Sequence, residues 1–334
     1  MRVALPTAFT RDDTLALKGL AVLLMIMHHV LMSDYYDDPS VLRESHFLFD
    51  RYRLIVLGKV CVGLFMFVTA YGYSLKNNRS WHYSFSHIKQ LLVRYWALLV
   101  VFIILGVIAG NQPNVGIVLL NMLGLSSTYS CANWYVYFYI YAMLILPVLV
   151  RLIDSYHVKA LAISILLCGI AALLINKKNS QWLDVIWQCL FYTPVLTVGC
   201  YLARCRLPFI RHQFNKVELI LMLVILLVTG CFSRDIGGFC TFTVIVPALA
   251  FVLSMLFHYN GTQTIKTCLV FLGSLSLYMW FVHTVFFSIM TRSLFQQSSL
   301  WPNSIMLIFL LVFFCSLTVS FLLSRAERVI FRIR

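Results

Sequence analysis

Long apolar stretches alternate with short polar segments along almost the whole chain, a pattern typical of proteins that cross a membrane several times. A helix needs about 20 predominantly apolar residues to span the hydrocarbon core. This criterion predicts ten spans, at residues 16–33, 54–75, 91–110, 132–150, 159–176, 183–203, 217–233, 239–258, 268–289 and 303–324. The apolar stretch 115–125 is too short to cross, so we expect a half-helix or an interfacial segment there. The predicted fold class is all-α, a polytopic membrane helical bundle.

The composition agrees with this pattern, because the chain is 61% hydrophobic and only 11% charged. No polar segment is long enough to build a core of its own, so residues 1–334 are expected to form a single integral-membrane domain. The net charge of +14 could suggest nucleic-acid binding. Membrane proteins, however, collect Lys and Arg in their cytoplasmic loops, and we therefore expect no nucleic-acid partner.

The first apolar stretch argues against a signal peptide, and the cysteines argue against a metal site or an obligatory disulfide. No small-residue cleavage site follows residues 17–30, so this stretch is interpreted as a retained helix and not as a signal peptide. The ten cysteines include no Cys-x-x-Cys pair, and most lie inside apolar stretches, where cysteine packs as a small hydrophobe. We expect neither a metal site nor an obligatory disulfide.

The distribution of basic residues predicts the orientation. With ten spans and the N-terminus inside, 18 Lys and Arg lie on the inner side and 7 on the outer side, while Lys59 lies within a span. This bias places both termini in the cytoplasm. The helical rise then gives depths: His29, His283, Lys59 and Trp134 all fall in the outer half of the membrane. A cationic Lys59 at that depth favours a polar cavity.

Lys18 and His29 share one helical face, because eleven residues at 100° each return to within about 20° of the same direction. Their separation along the axis is roughly 16 Å, so this face links an inner cation with an outer imidazole. His28 faces elsewhere. Taken singly, each residue also has a structural explanation: an interhelical hydrogen bond for a histidine, an inner anchor for Lys18, an aromatic belt around Trp134.

Four segments, in order, resemble the acyltransferase 3 family of integral-membrane enzymes, which transfer acyl groups to sugars of cell-surface glycans. LKGLAVLLMIMHHV (17–30) resembles the Arg-x10-His span, with Lys18 and His29 at its two marked positions. GLFMFVTAYGYSL (63–75) resembles the second span, and WYVYFYIYAMLILP (134–147) keeps the spacing of a later Trp, Glu and Pro motif. LGSLSLYMWFVH (272–283) resembles LGxxSxxxYLxH near the C-terminus. The chain departs from the family at Lys18 in place of arginine, at Thr69-Ala70 in place of Ser-Gly, and at Tyr139 in place of glutamate.

The resemblance implies acetyl-CoA, or another acyl-CoA, as a cytoplasmic donor and a cell-surface polysaccharide or its lipid-linked precursor as the acceptor. His29 is the expected general base, with Lys59 stabilising the oxyanion and His283 as a further catalytic candidate. The candidates for binding the CoA phosphates are Lys18, Arg94, Arg204 and Arg206. The candidates for the substrate pocket are Trp134, Tyr139 and Ser276. The expected location is the cell membrane, among lipids, and a homo-oligomer is left open.

Other functions compete with this hypothesis. A secondary transporter or glycan exporter could use Lys59, His29 and His283 as a substrate or proton pathway, but it predicts paired broken helices and internal symmetry, which the sequence does not show. A membrane binding or signalling protein would usually add a soluble domain. An acyltransferase that modifies a lipid or a peptide also stays open.

Overall fold

Helices make up nearly all the regular structure in the computed structural model, which describes residues 3–4, 9–32, 51–77, 79–108, 110, 112–126, 128–129, 134–175, 181–205, 213–232, 238–259, 261–289 and 305–330. The helices of the first half are α1 (Arg11–Met32), α2 (Arg51–Gly58), α3 (Val60–Ser74), α4 (Trp81–Ile108), α5 (Val115–Met122) and α6 (Trp134–Tyr156). Those of the second half are α7 (Val158–Leu174), α8 (Gln181–Arg204), α9 (Lys216–Cys231), α10 (Gly238–Leu256), α11 (Gln263–Ser274), α12 (Ser276–Ile289) and α13 (Ile305–Ile330). The short helix α5 lies where the half-helix was predicted.

Within the described residues, six helices are long and apolar enough to cross a membrane. They are Arg11–Leu31, Arg53–Ser74, Trp81–Ile108, Trp134–Tyr156, Trp182–Arg204 and Met306–Val329. The bent pair α11–α12 makes a seventh candidate span, and Val158–Ala171 and Phe242–Leu256 are shorter apolar helices. The all-α polytopic membrane class is therefore confirmed, with fewer full-length spans than the ten predicted. Helices such as α7 expose apolar side chains, including Leu166, Leu167 and Leu173, as expected of a surface facing lipid.

The span predicted at 268–289 is broken. Its two halves, α11 and α12, meet at Leu275 and are bent by 76°. The amide N–H of Leu275 donates to the carbonyl oxygen of Leu272, and the hydroxyl of Ser274 donates to that of Phe271, so the chain tightens before the bend. Short polar side chains that bond to the local backbone favour such a break. The break lets α12 start inside the protein.

Helix α1 lies at the centre and packs against α2, α3, α11, α12 and α13. Its contact with α11 is very close: a Cβ atom at Gly19 would overlap the backbone carbonyl of Leu269, and one at Gly273 would overlap that of Leu15. Glycine permits this approach because it has no side chain. At the start of α1, the carboxylate of Asp13, which is fully buried, lies 2.8 Å from the ammonium of Lys266.

Polar contacts join segments that the charge count assigns to one side of the membrane. Strands β1 (Val3–Ala4) and β2 (Gln213–Phe214) form a two-stranded antiparallel pair. Asp154 pairs with Arg204 at 2.6 Å and with Arg79 at 3.4 Å. These contacts agree with the predicted assignment of these segments to one side of the membrane. That this side is the cytoplasm stays a prediction from the count of basic residues.

Candidate active site

Two histidines from distant parts of the chain form a hydrogen-bonded pair. Nδ1 of His29 on α1 lies 2.9 Å from Nε2 of His283 on α12, and the ring centroids are 4.8 Å apart. His283 is fully buried and His29 is half-buried. The sequence predicted a similar depth for both residues, and the structure brings them into direct contact.

The other bonds of His283 fix which nitrogen of His29 can act as a base. Nδ1 of His283 lies 2.7 Å from the carbonyl oxygen of Trp280 and 3.0 Å from that of Met279, and carbonyls only accept, so Nδ1 carries a proton. In the neutral ring, Nε2 of His283 then presents a lone pair. The proton shared by the pair is therefore on Nδ1 of His29. Nε2 of His29 is left with a lone pair that can accept a proton.

His28 has a different environment from its neighbour. Its Nδ1 donates to the carbonyl oxygen of Ile55, 2.8 Å away on α2. The backbone of Gly58 packs against it so closely that a Cβ there would lie 2.7 Å from the Cβ of His28. The side chain thus joins α1 to α2, and this geometry indicates a structural role, in agreement with the predicted difference in direction.

A cavity of about 160 Å³ has in its lining Trp280, whose ring contacts that of His283. It contains basic and other polar groups together with aromatic rings, and its lining consists of Lys18, Phe65, Thr69, His87, Gln90, Leu91, Arg94, Tyr135, Tyr139, Ser276, Leu277 and Trp280. Four residues predicted for the site, Lys18, Arg94, Tyr139 and Ser276, are therefore brought together. The cavity combines cations suited to an anionic group with an apolar section suited to a thin chain.

Arg94 is held by an acid that the sequence reasoning missed. Its Nε lies 2.5 Å from Oε1 of Glu327 on α13, and the hydroxyl of Tyr278 donates to Oε2 of the same carboxylate at 2.6 Å. Glu327 follows the last predicted span, and Arg94 lies in the first turn of the third, both on the predicted inner side. The sequence therefore placed both residues at a similar depth in the membrane. Depth alone, however, does not reveal which helices are neighbours.

Helix α4 contributes one face to the cavity. His87, Gln90, Leu91 and Arg94 follow the i, i+3, i+4, i+7 pattern, which places them along a single stripe. This spacing could have identified His87 and Gln90 from the sequence once Arg94 was a candidate. The stripe therefore adds an imidazole and an amide to the two cations.

The start of α12 also faces the cavity, since Ser276 and Leu277 are its first residues and both line it. The amide groups of a first helical turn lack partners within the helix, and the helix dipole makes this end positive. The break at Leu275 thus adds a positive helix end to the side chains of Lys18 and Arg94. A continuous span would have hidden these amides in a helical ladder.

Trp280 connects the cavity with the histidine pair. Its indole lines the cavity and is 2% exposed. Its ring centroid lies 4.2 Å from that of Tyr135, 5.7 Å from that of Trp134 and 6.5 Å from that of His283. Trp134, predicted as a substrate residue, thus lies next to the cavity through Trp280 and is not part of its lining.

Two predicted residues, Lys59 and Arg204, are not brought into this group. Lys59 lies between α2 and α3 with an exposed side chain, away from the cavity lining. Arg204 is paired with Asp154 outside the cavity lining. Arg206 lies outside the described residues. In the described part of the chain, no cluster of three or more His, Cys, Asp or Glu could hold a metal ion.

Comparison with known proteins agrees with this architecture. No curated protein and no solved structure gave a significant match. The family model for the acyltransferase domain matches residues 16–325, from Ala16 within α1 to Arg325 within α13, and so includes the cavity lining and the histidine pair. With this match over most of its length, the chain belongs to the acyltransferase 3 family and is a multi-pass membrane-bound acyltransferase.

Proposed function

We propose that this acyltransferase is an O-acetyltransferase, which moves an acetyl group from cytoplasmic acetyl-CoA, or another acyl-CoA, to a hydroxyl of a cell-surface or capsular polysaccharide or its lipid-linked precursor. One observation carries the proposal. The cavity that is lined by Lys18 and Arg94 is also lined by Trp280, and the ring of Trp280 contacts that of His283, the partner of His29. Trp280 thus connects the cations that could bind the donor with the histidine pair that could act as the base.

The polar part of the cavity suits the phosphates of a CoA donor. Lys18 supplies a point charge and Arg94 a planar guanidinium, which is the better partner for phosphate oxygens. His87 adds an imidazole, and the first turn of α12, which begins at Ser276, adds backbone amide groups. Arg204 does not enter this proposal because it already pairs with Asp154 away from the lining.

The apolar part suits the long arm of the donor. Phe65, Tyr135 and Trp280 supply aromatic rings to the lining, and Tyr139 and Ser276 supply hydroxyl groups. A thin chain that starts at Lys18 and passes Phe65 and Tyr135 would carry its thioester towards Trp280.

His29 acts as the general base in this proposal. Its Nε2 takes the proton of the acceptor hydroxyl, the hydroxyl oxygen attacks the thioester carbonyl carbon, and the carbon–sulfur bond breaks. The imidazolium then returns the proton to the departing thiolate. Nε2 of His283 accepts a hydrogen bond from Nδ1–H of His29, which holds the ring, orients Nε2 of His29 and stabilises the imidazolium. Lys59 has no part in this step, because its exposed side chain lies away from the cavity lining.

The acceptor approaches from the opposite side of Trp280. Trp134, half-buried beside Trp280, offers an aromatic face for a sugar ring. With both termini in the cytoplasm, this side is extracytoplasmic, which agrees with a glycan acceptor in or beyond the cell membrane.

The test uses the full-length protein in lipid vesicles with labelled acetyl-CoA and fractions of candidate glycans. Release of free CoA together with label transfer to a glycan is the expected result. His29→Ala should abolish transfer while the protein still inserts, whereas His82→Ala, at an exposed histidine, should behave as wild type. Movement of a glycan across the vesicle without CoA release would overturn the proposal and favour a transporter.

A further inference from the structure

Three aromatic side chains of the cavity lining form a cluster. Trp280 packs against Tyr135, whose ring centroid is 4.2 Å away, and Phe65, whose centroid is 5.3 Å away, and the centroids of Tyr135 and Phe65 are 6.0 Å apart. All three side chains are buried, and all three line the cavity. Among the described residues, Trp280 is the one that both lines the cavity and makes a ring contact with His283.

We propose that the indole of Trp280 sets the length of the acyl group that the enzyme transfers, and restricts it to short chains. The inference rests on the proposed function, since it concerns the acyl end of the same donor. A thioester that reaches the base from the cavity has its acyl group against the Trp280 face. An acetyl methyl fits there, whereas each further methylene needs volume that Trp280, Tyr135 and Phe65 already fill.

The position of Trp280 on α12 makes it the decisive member of this aromatic group. The residue lies one helical turn before His283, and its carbonyl oxygen accepts the Nδ1 proton of that histidine. Its side chain therefore cannot shift far along the helix axis without disturbing the histidine pair. Tyr135 and Phe65 belong to other helices and support the indole from the sides.

The size of the side chain at position 280 can be reduced in steps. The indole of Trp280 is larger than a phenol ring, so a tyrosine there would leave more room at the acyl end of the cavity. The substitution Trp280→Tyr therefore gives a conservative intermediate between the wild type and a small residue.

The experiment measures CoA release by the full-length protein in vesicles with acetyl-, butyryl- and octanoyl-CoA. We compare the wild type with Trp280→Ala and Trp280→Tyr, and use Phe281→Leu as the matched control. Phe281 is an equally buried aromatic residue of α12, but it stacks on Tyr95 and is not in the cavity lining. Size-exclusion profiles in detergent verify that each variant is folded.

Wild type should discriminate against octanoyl-CoA, since a mismatch of even one methylene costs roughly tenfold or more in kcat/KM. The octanoyl-to-acetyl ratio should rise at least about tenfold in Trp280→Ala. It should rise less in Trp280→Tyr and stay at the wild-type value in Phe281→Leu. If Trp280→Ala does not fold, the ratio in Trp280→Tyr decides the question.

Failure of the inference and failure of the proposed function have different signatures. Wild-type release of CoA from acetyl-CoA, with an unchanged chain-length ratio in the Trp280 variants, would overturn the inference alone. Equal use of acetyl- and octanoyl-CoA by the wild type would do the same. Release from none of the three donors would overturn both the inference and the proposed function.

Discussion

The guanidinium Nε of Arg94 lies 2.5 Å from Oε1 of Glu327, although 233 residues separate the two in the chain. The carboxylate also accepts a hydrogen bond from Tyr278, so both of its oxygens are engaged. An acid held this way fixes the plane of the guanidinium that lines the cavity. We interpret Glu327 as a positioning residue for Arg94, acting on donor binding and not on the chemical step.

Glu327→Gln tests this interpretation. The amide keeps the shape and an acceptor but loses the charge, and charge-assisted hydrogen bonds are about twice as strong as neutral ones. We expect KM for acetyl-CoA to rise roughly fivefold, equivalent to about 1 kcal/mol, with kcat nearly unchanged. Steady-state CoA release measures both constants. Asp12→Asn, at an exposed acid of α1, is the control, and a lower KM in Glu327→Gln would contradict the role.

His283→Ala tests the orientation of the base. Without Nε2 of His283 as hydrogen-bond acceptor, the ring of His29 loses the partner that fixes its tautomer. We therefore expect kcat to fall by roughly 10²-fold or more. KM for acetyl-CoA should change little, because His283 does not line the donor cavity. His283→Gln supplies a carbonyl acceptor and should restore part of kcat. Equal losses of kcat in His283→Ala and His283→Gln would show that a hydrogen-bond acceptor at position 283 does not orient His29.

Gly273→Ala tests the close packing of α1 on α11. The added methyl would overlap the carbonyl of Leu15, and overpacking of this kind typically costs about 1–3 kcal/mol. We expect a lower melting temperature in detergent and reduced activity. Gly72→Ala is the matched control, since a Cβ there meets nothing within 4 Å and alanine favours the helix. Similar melting temperatures for the two variants would refute the packing argument.

The buried ion pair of Asp13 and Lys266 should affect the stability of the protein far more than the exposed pair of Asp154 and Arg204. Removing one partner of a buried ion pair costs about 3–5 kcal/mol, because the other charge stays uncompensated. Asp13→Asn and Lys266→Met should each lower the melting temperature clearly, and the double variant by less than their sum. Arg204→Gln should change stability by less than about 1 kcal/mol. A changed KM for acetyl-CoA in Arg204→Gln would restore the predicted donor role of that residue.

The sequence predicted the membrane class and part of the candidate site. The shared face of Lys18 and His29 follows from helical periodicity, and the common depth of His29 and His283 follows from the rise per residue. Both relationships concern positions along or around a single axis. The pairing of Arg94 with Glu327 depends on which helices are neighbours, and periodicity does not encode that. The break at Leu275 was missed because the apolar length of residues 268–289 predicts one span, whereas the bend depends on local hydrogen bonds that composition does not reveal.

The separation of 254 positions between His29 and His283 has a consequence for biogenesis. A ribosome delivers α1 to the membrane before its partners α11, α12 and α13. Until they arrive, the backbone of Gly19 lacks its contact with α11, and the imidazole of His29 lacks its hydrogen-bond acceptor. The proposed general base is therefore assembled only after residue 283 has entered the membrane.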